Sequence, residues 1–114
     1  MEAARALADL VEISPQIEAA AVVAGDGELT GSIGVPDARA SLVAAGVREL
    51  VHGAAALRSE GRVTQLHASL AGGEVFAVTD EDERTIVAVT TKRATPGLVF
   101  YDLKRCLAVV ASEA

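Results

Sequence analysis

Few residues of this sequence could do chemistry, and their spacing assembles no catalytic or metal site. The four acids at 80–83 (DEDE) predict a solvated turn, because the ligands of a Ca²⁺ loop alternate around a central glycine. His52 and His67 lie on different predicted elements, with no acid or cysteine at zinc-ligand spacing. Cys106 lies on the apolar face of a predicted helix, where a thiol packs as a small hydrophobe. The sequence therefore predicts no metal, no cofactor and no catalytic cysteine.

Nucleophile and phosphate-binding motifs are also missing. The sequence contains neither a GxSxG elbow nor a GxxxxGK[ST] or GxGxxG phosphate loop. Its glycines at 25–27 and 31–34 fit a hairpin and a strand. Arg48 and Arg58 are isolated on a predicted helix, which is typical of solubilising surface residues, although either could pair with acids of a partner. We therefore expect a protein without enzymatic activity.

Length, charge and composition exclude further classes of protein. The 114 residues, 11.6 kDa in mass, predict a single domain over 1–114. A net charge of −6 argues against nucleic-acid binding. No apolar run approaches the roughly 20 residues that span a bilayer, and a single cysteine fits a reducing cytoplasm. Because aromatic residues make up only 3%, we expect a closely packed core of alanine and valine without roomy cavities.

Apolar periodicity predicts eight elements in the order αββαβββα. Helices are predicted at 2–13, at 38–59 and from Pro96 onwards, and strands at 17–24, 28–33, 63–70, 75–79 and 85–91. The first, fourth and fifth strands lack a polar face, so both of their faces should be covered. The predicted fold is α+β, a five-stranded antiparallel sheet with helices on both faces.

Turn and cap residues set the predicted boundaries. Gly25-Asp26-Gly27 is a strong hairpin signal. Asp37 is the predicted N-cap of the long helix and Gly61 its stop. Thr95 and Pro96 fit the N-cap and first residue of the last helix. That helix carries one apolar stripe, formed by Val99, Leu103, Cys106, Leu107 and Val110.

The long helix at 38–59 has more apolar surface than one sheet face would cover. Its stripe consists of Val43, Val47, Leu50, Ala54 and Leu57, widened by Ala40, Ala44, Val51 and Ala55 on one side and by Leu42 and Gly46 on the other. Glycines and alanines let a neighbouring helix approach closely, although alanine is also the best helix former. We favour contact with a second surface and keep plain helix propensity as the alternative.

The third strand has the pattern of a sheet edge. Leu66, Ala68 and Leu70 alternate with Gln65, His67 and Ser69, so one face is apolar and the other polar. An edge strand leaves backbone groups unpaired, and pairing with another strand satisfies them. The third strand therefore indicates a second surface for association.

Four segments together resemble the roadblock/dynein light chain domain family. They are LADLVEISPQIEAAAVVAGDGELTGS, the long small-residue helix at 38–59, AGGEVFAVTDEDERTIVAVTT and TPGLVFYDLKRCL. The resemblance covers almost the whole chain and depends on element order, the GDG hairpin and apolar spacing. The wider profilin-like group shares much of this pattern.

The resemblance implies a non-catalytic domain that forms a homodimer. In such dimers the long helix lies beside that of the partner, and the third strands pair edge to edge into a ten-stranded sheet. Carried onto this sequence, the helix contact falls on Ala44, Val51 and Ala55, and the strand contact on Val63, Gln65, His67 and Ser69.

The resemblance also implies a partner. Bacterial members of this family commonly regulate Ras-like small P-loop GTPases, some by positioning the catalytic groups of the GTPase itself. An acidic regulator or scaffold suits a partner with a basic surface. The alternative is a profilin-like sensor with a small ligand in the concavity of its sheet, and an enzyme is the third class.

Overall fold

Within residues 2–56 and 64–112, which the computed structural model describes, the chain forms three helices and five strands in the predicted order αββαβββα. The helices are α1 (Ala3–Ile13), α2 (Asp37–Ala55) and α3 (Pro96–Ala111). The strands are β1 (Ile17–Val23), β2 (Leu29–Ile33), β3 (Gln65–Leu70), β4 (Gly73–Thr79) and β5 (Thr85–Thr90).

The five strands form one antiparallel sheet in the order β2-β1-β5-β4-β3. The continuous apolar runs β1, β4 and β5 occupy the centre, and the alternating runs β2 and β3 occupy the two edges. This arrangement confirms the prediction, since a central strand packs residues on both faces whereas an edge strand can keep one face in water.

Helices cover both faces of the sheet, which confirms the predicted three-layer α+β fold. On one face α1 and α3 pack against each other and against the strands, and the larger core, which includes Leu7, Phe76 and Leu103, lies between these layers. On the other face α2 packs over a small cluster that includes Val47 and Val87. The second face is therefore the more thinly covered one.

The β1–β2 hairpin turns at residues 25–27, as the glycines predict. Gly27 has a φ of +92°, a conformation that side-chain-bearing residues rarely adopt. The Asp26 side chain accepts a hydrogen bond from the Glu28 N–H at 2.9 Å, which closes the turn.

Arg48 links the long helix to this hairpin. Its guanidinium donates hydrogen bonds to the carbonyls of Ala24 and Gly25, at 2.9 and 2.8 Å. The half-buried side chain therefore fixes α2 against the end of β1, and the expectation of a merely solubilising arginine at this position is wrong.

The start of α2 differs from the prediction by one residue. Pro36, in an extended conformation, is the N-cap, and Asp37 lies in the first helical turn. Instead of capping the helix, the Asp37 carboxylate accepts a hydrogen bond from the Ser32 hydroxyl at 2.7 Å and holds the helix start to the end of β2. Residues 57–59 and Gly61, where the sequence analysis ended this helix, lie outside the described residues.

The last helix begins and packs as predicted. Thr95 is its N-cap and Pro96 its first residue. The five positions of the predicted stripe are all buried: Val99, Leu103, Cys106, Leu107 and Val110. A stripe of this width matches one helix lying flat on a sheet.

Candidate interaction surface

The α2 helix buries only one side of its broad apolar surface. Ala40, Ala44 and Val47 are buried against the sheet. Leu42 and Leu50 point away from it and are 76% and 57% exposed. Large apolar side chains with this exposure on one helix form the kind of patch that marks an interface. We call the side that carries Leu42, Gly46, Leu50 and Gly53 the open side of α2.

A groove runs between the open side of α2 and the edge strand β3. It is lined by Gly46, Glu49, Leu50, Gly53, Ala54 and Leu66. Among the described residues, no atom outside the local helix backbone lies within 4 Å of the position that a Cβ would occupy at Gly46 or Gly53. At these two glycines the α2 wall of the groove is bare backbone open to the surroundings, which allows another helix to approach closely.

Among the described residues, the edge strand β3 pairs with another strand on one side only. Residues 65–70 are in register with β4, with Gln65 opposite Val78 and Leu70 opposite Gly73. The sheet order leaves the other side of β3 as an edge, so its outward backbone groups have no partner among the five described strands. Val63, which the sequence analysis placed at the start of this strand, lies outside the described residues.

The predicted helix-contact residues lie on the sheet side of α2. Ala44 is 2% exposed, so it has almost no surface left for a partner. Val51 and Ala55 are half-buried, and Val51 packs against the cluster beneath the helix. The apolar arc spans most of the helix circumference, and periodicity alone does not tell which part of it faces the sheet.

The polar face of β3 carries an interaction that the sequence analysis missed. His67 Nε2 lies 2.7 Å from Glu74 Oε1 on the neighbouring strand, and the His67 ring stacks on Phe76 with centroids 4.2 Å apart. The second Glu74 oxygen accepts a hydrogen bond from the Ala94 N–H at 2.8 Å. Glu74 therefore joins the edge strand to the loop before α3. The sequence held one signal for this contact. The short turn between β3 and β4 sets the register of the two strands, which places Glu74 opposite Ser69, two residues from His67.

These contacts link the stability of the fold to the protonation state of Glu74. The hydrogen bond from His67 holds the pKa of the Glu74 carboxyl below its usual 4.5, and the Ala94 N–H acts in the same direction. A carboxyl whose pKa is lower in the folded than in the unfolded protein stabilises the fold fully above the unfolded pKa. That stabilisation is lost as the pH falls through the folded value.

Glu74→Gln is therefore expected to flatten the pH dependence of stability. Between neutral pH and values below 4.5, the melting temperature of the wild type should fall more steeply than that of the variant, because only the wild type loses the Glu74 charge. Thermal unfolding monitored by circular dichroism measures this difference. Glu12→Gln, at an exposed position on α1, is the control and should follow the wild-type profile; parallel profiles for all three proteins would contradict the role of Glu74.

The acidic turn between β4 and β5 is organised by a basic residue. Asp80 accepts hydrogen bonds from the N–H groups of Asp82 and Arg84, both at 2.9 Å. The Arg84 guanidinium bridges the Asp80 and Asp82 carboxylates at 3.2 and 3.1 Å. The acids at 80–83 thus form a turn, as predicted, and part of their charge is neutralised locally.

The cysteine Cys106 is buried on α3. Burial raises the pKa of the Cys106 thiol to about 11, so it is protonated at neutral pH. Residues 2–56 and 64–112 hold no cluster of three His, Cys, Asp or Glu side chains fit to bind a metal ion. In the same ranges no helix combines the length and apolarity needed to cross a bilayer.

A cavity of about 340 Å³ lies beneath the first half of α2. Its apolar lining comes from β1, β5 and α2, and includes Ala19, Ala21, Ala40, Val43, Val87 and Val89. The expectation that small side chains exclude roomy cavities is therefore wrong on this face. Alanines shorten the side chains on both sides of the helix–sheet contact, and in the described part of the chain α2 covers this end of the sheet without a second helix beside it.

Comparison with known proteins identifies the fold. No family model and no curated protein matches the sequence. Solved structures do match. A Roadblock/LC7 domain from Streptomyces avermitilis has a TM-score of 0.82 at 20% identity, over 93% of this chain and 92% of that chain.

Two further matches are MglB proteins. The gliding protein MglB of Thermus thermophilus gives a TM-score of 0.73 at 22% identity, over 98% of this chain and 90% of its own. An MglB with a tetrameric arrangement gives 0.75 at 19%, over 96% and 85%. These matches show that the chain has the roadblock/LC7 fold.

Proposed function

We propose that this chain is a member of the roadblock family that acts as a homodimeric, non-catalytic regulator or scaffold of a Ras-like small GTPase in the cytoplasm. The observation that carries the proposal is the open side of α2, which leaves Leu42 and Leu50 in water beside an unpaired strand edge. Leaving such side chains exposed forgoes about 1.5–3 kcal/mol each of burial free energy. A second copy with the same two features recovers it.

In the proposed dimer the two copies meet through the same surface. The open side of α2 packs beside that of the partner, with the glycines allowing close approach. The β3 strands pair along Gln65, His67 and Ser69, so that the two sheets become one. Val51 and Ala55 lie at the margin of the helix contact, and Leu50 replaces Ala44 at its centre because Ala44 is already buried within the protomer.

The GTPase part of the proposal is supported by family resemblance. The sequence resembles bacterial roadblock proteins over almost its whole length, and the backbone superposes well on the gliding protein MglB. The described residues present a protected thiol and an apolar groove. We therefore expect the protein to change the rate of GTP hydrolysis by binding the GTPase, whose own residues carry out the hydrolysis.

Leu50→Glu is expected to convert the dimer into a monomer. Light scattering should give twice 11.6 kDa for the wild type and 11.6 kDa for the variant, because dimerisation would bury an unpaired carboxylate in an apolar contact. Ser41→Glu adds the same charge to an exposed position on another side of α2 and should leave the dimer intact. A monomeric wild type, or dissociation of both variants alike, would contradict the dimer.

The GTPase partner is tested separately. Affinity capture from native lysate, with wild type and Leu50→Glu side by side, should retain a P-loop GTPase on the wild type. The purified GTPase should then bind the dimer at low micromolar concentration or tighter, and its rate of GTP hydrolysis is measured with and without the dimer. Absence of any GTPase from the capture would remove this part of the proposal and leave the dimer standing.

A second candidate function follows from the cavity beneath α2. A small-ligand sensor needs an enclosed apolar space with a few polar groups, and Arg39 and Glu18 lie among the lining residues of this cavity. The melting temperature of a sensor would rise when its ligand is added. A screen of small aliphatic acids and amino acids by thermal shift tests this alternative.

A further inference from the structure

The helix α3 carries a second apolar stripe, on the side away from the sheet. Leu98, Tyr101 and Val109 are 57%, 58% and 39% exposed, although α3 already buries its predicted stripe. At 100° per residue, the three positions fall within an arc of about 80°. Together with Arg105, they form what we call the outer face of α3.

Two side chains of this face are already in contact. The guanidinium carbon of Arg105 lies 5.8 Å from the centroid of the Tyr101 ring, a cation–π geometry. Tyrosine and arginine are among the residue types that carry most of the binding energy at interfaces. The pair therefore presents a cation and an aromatic ring side by side to a partner.

The outer face of α3 is also basic in an otherwise acidic protein. Lys92 and Arg93 in the loop before α3, and Lys104 and Arg105 within it, are all exposed, and α3 itself contains one acid, Asp102. Lys104 lines a depression together with Asp80, Glu81 and Asp82 of the acidic turn, whereas Arg105 lies beside Tyr101. The whole chain has a net charge of −6. Arg105 thus places positive charge beside the exposed tyrosine, and this charge is complementary to an acidic partner.

We propose that the outer face of α3 binds a segment of a partner protein that combines acidic and large apolar side chains. The acids pair with Arg105, and the apolar side chains pack on Leu98 and Tyr101. The neighbouring α1 carries exposed Asp9 and Glu12, which repel an acidic segment that lies across α1. The segment therefore runs along α3.

This surface lies on the opposite side of the sheet from α2. The outer face of α3 and the open side of α2 belong to different layers of the fold. A segment bound along α3 leaves the groove between α2 and β3 free. The proposal therefore holds whether the chain is a dimer or a monomer, and it does not depend on a GTPase partner.

Other anionic partners fit the observations less well. Peripheral binding to anionic lipids requires a cluster of about four to eight basic residues. The four on this surface lie at two separate places on the helix and its preceding loop, and the net charge of −6 opposes approach to a membrane. The same net charge opposes nucleic acid. A short acidic segment contacts only the basic residues of this face, so the net negative charge of the whole chain opposes its binding less.

The test selects peptides from a random phage-displayed library on the full wild-type chain. Enriched peptides should carry net negative charge together with leucine, phenylalanine or tryptophan. One of them, synthesised, is titrated against variants by fluorescence anisotropy. We expect Arg105→Glu and Tyr101→Ala each to weaken binding about tenfold or more.

Matched controls separate this surface from general charge effects. Arg39→Glu makes the same change in charge on α2 and should leave the affinity within about twofold. Because Arg105, Tyr101 and Arg39 are exposed, all three variants should keep the wild-type circular dichroism spectrum and melting temperature. Failure to enrich any acidic peptide, or equal weakening by Arg105→Glu and Arg39→Glu, would overturn the proposal. Sedimentation with phosphatidylserine vesicles that Arg105→Glu abolishes would assign the face to a membrane instead.

Discussion

Replacing Phe76 by alanine is expected to lower the free energy of unfolding by about 3–5 kcal/mol, the largest loss from any single side chain here. Phe76 is fully buried and is the largest such side chain in the described residues. Its ring stacks on His67 and meets Phe100 edge to face, with centroids 5.2 Å apart. The truncation leaves a cavity at the point where the edge strand, the central sheet and α3 meet.

Chemical denaturation at one fixed protein concentration measures this loss, because self-association would otherwise shift the midpoint. Phe76→Leu is the control. It keeps most of the apolar volume and should cost about 1–2 kcal/mol. If the free energy of unfolding of Phe76→Ala lies within about 1 kcal/mol of the wild-type value, the loss is no larger than that of an average substitution. The packing of Phe76 would then not be a main source of stability.

Gly34→Ala is expected to cost about 2–4 kcal/mol, through both backbone strain and steric overlap. Gly34 has a φ of +84°, in the left-handed region. A Cβ there would lie 2.5 Å from the Glu18 carbonyl oxygen and 3.0 Å from the Ala19 Cα. Relief of that overlap requires β1 and the β2–α2 connection to move apart, which also shifts the start of α2.

Gly72→Ala is the matched control for this prediction. Gly72 is exposed in the β3–β4 turn, and apart from its chain neighbours no atom of the described residues lies within 4 Å of the position that a Cβ would occupy there. The stability of this variant should remain within about 0.5 kcal/mol of the wild type. Urea denaturation of both variants makes the comparison. Equal, small effects at the two sites would contradict the close approach of β1 to Gly34.

Amino-acid patterns alone were sufficient to predict the architecture. Continuous apolar runs in β1, β4 and β5 indicated central strands, and alternation in β2 and β3 indicated edges. The stripe from Val99 to Val110 identified the buried side of α3. These features are periodic along the chain, and burial acts on each side chain separately, so the sequence carries them locally.

The position of the candidate interaction surface was only partly predictable from the sequence. A surplus of apolar surface on α2 and an edge strand at β3 were both visible in the sequence, and both are present. The exposure of Leu50 and the burial of Ala44 were not visible in the sequence. Apolar residues occupy most of the circumference of α2. The orientation of the helix about its own axis depends on contacts with residues distant in sequence, such as the hydrogen bonds from Arg48 to the hairpin carbonyls.

Sequence thus determined the order of the elements, the central and edge strands and the excess of apolar surface on the long helix. The tertiary structure alone decided which side of α2 stays open, how Glu74 joins His67 to Ala94, and where a cavity forms beneath α2. The physical reason is distance along the chain. Periodicity along the chain shows which residues of an element are apolar and tend to be buried. Strand register and the rotation of a helix about its axis decide which residues of other elements they contact.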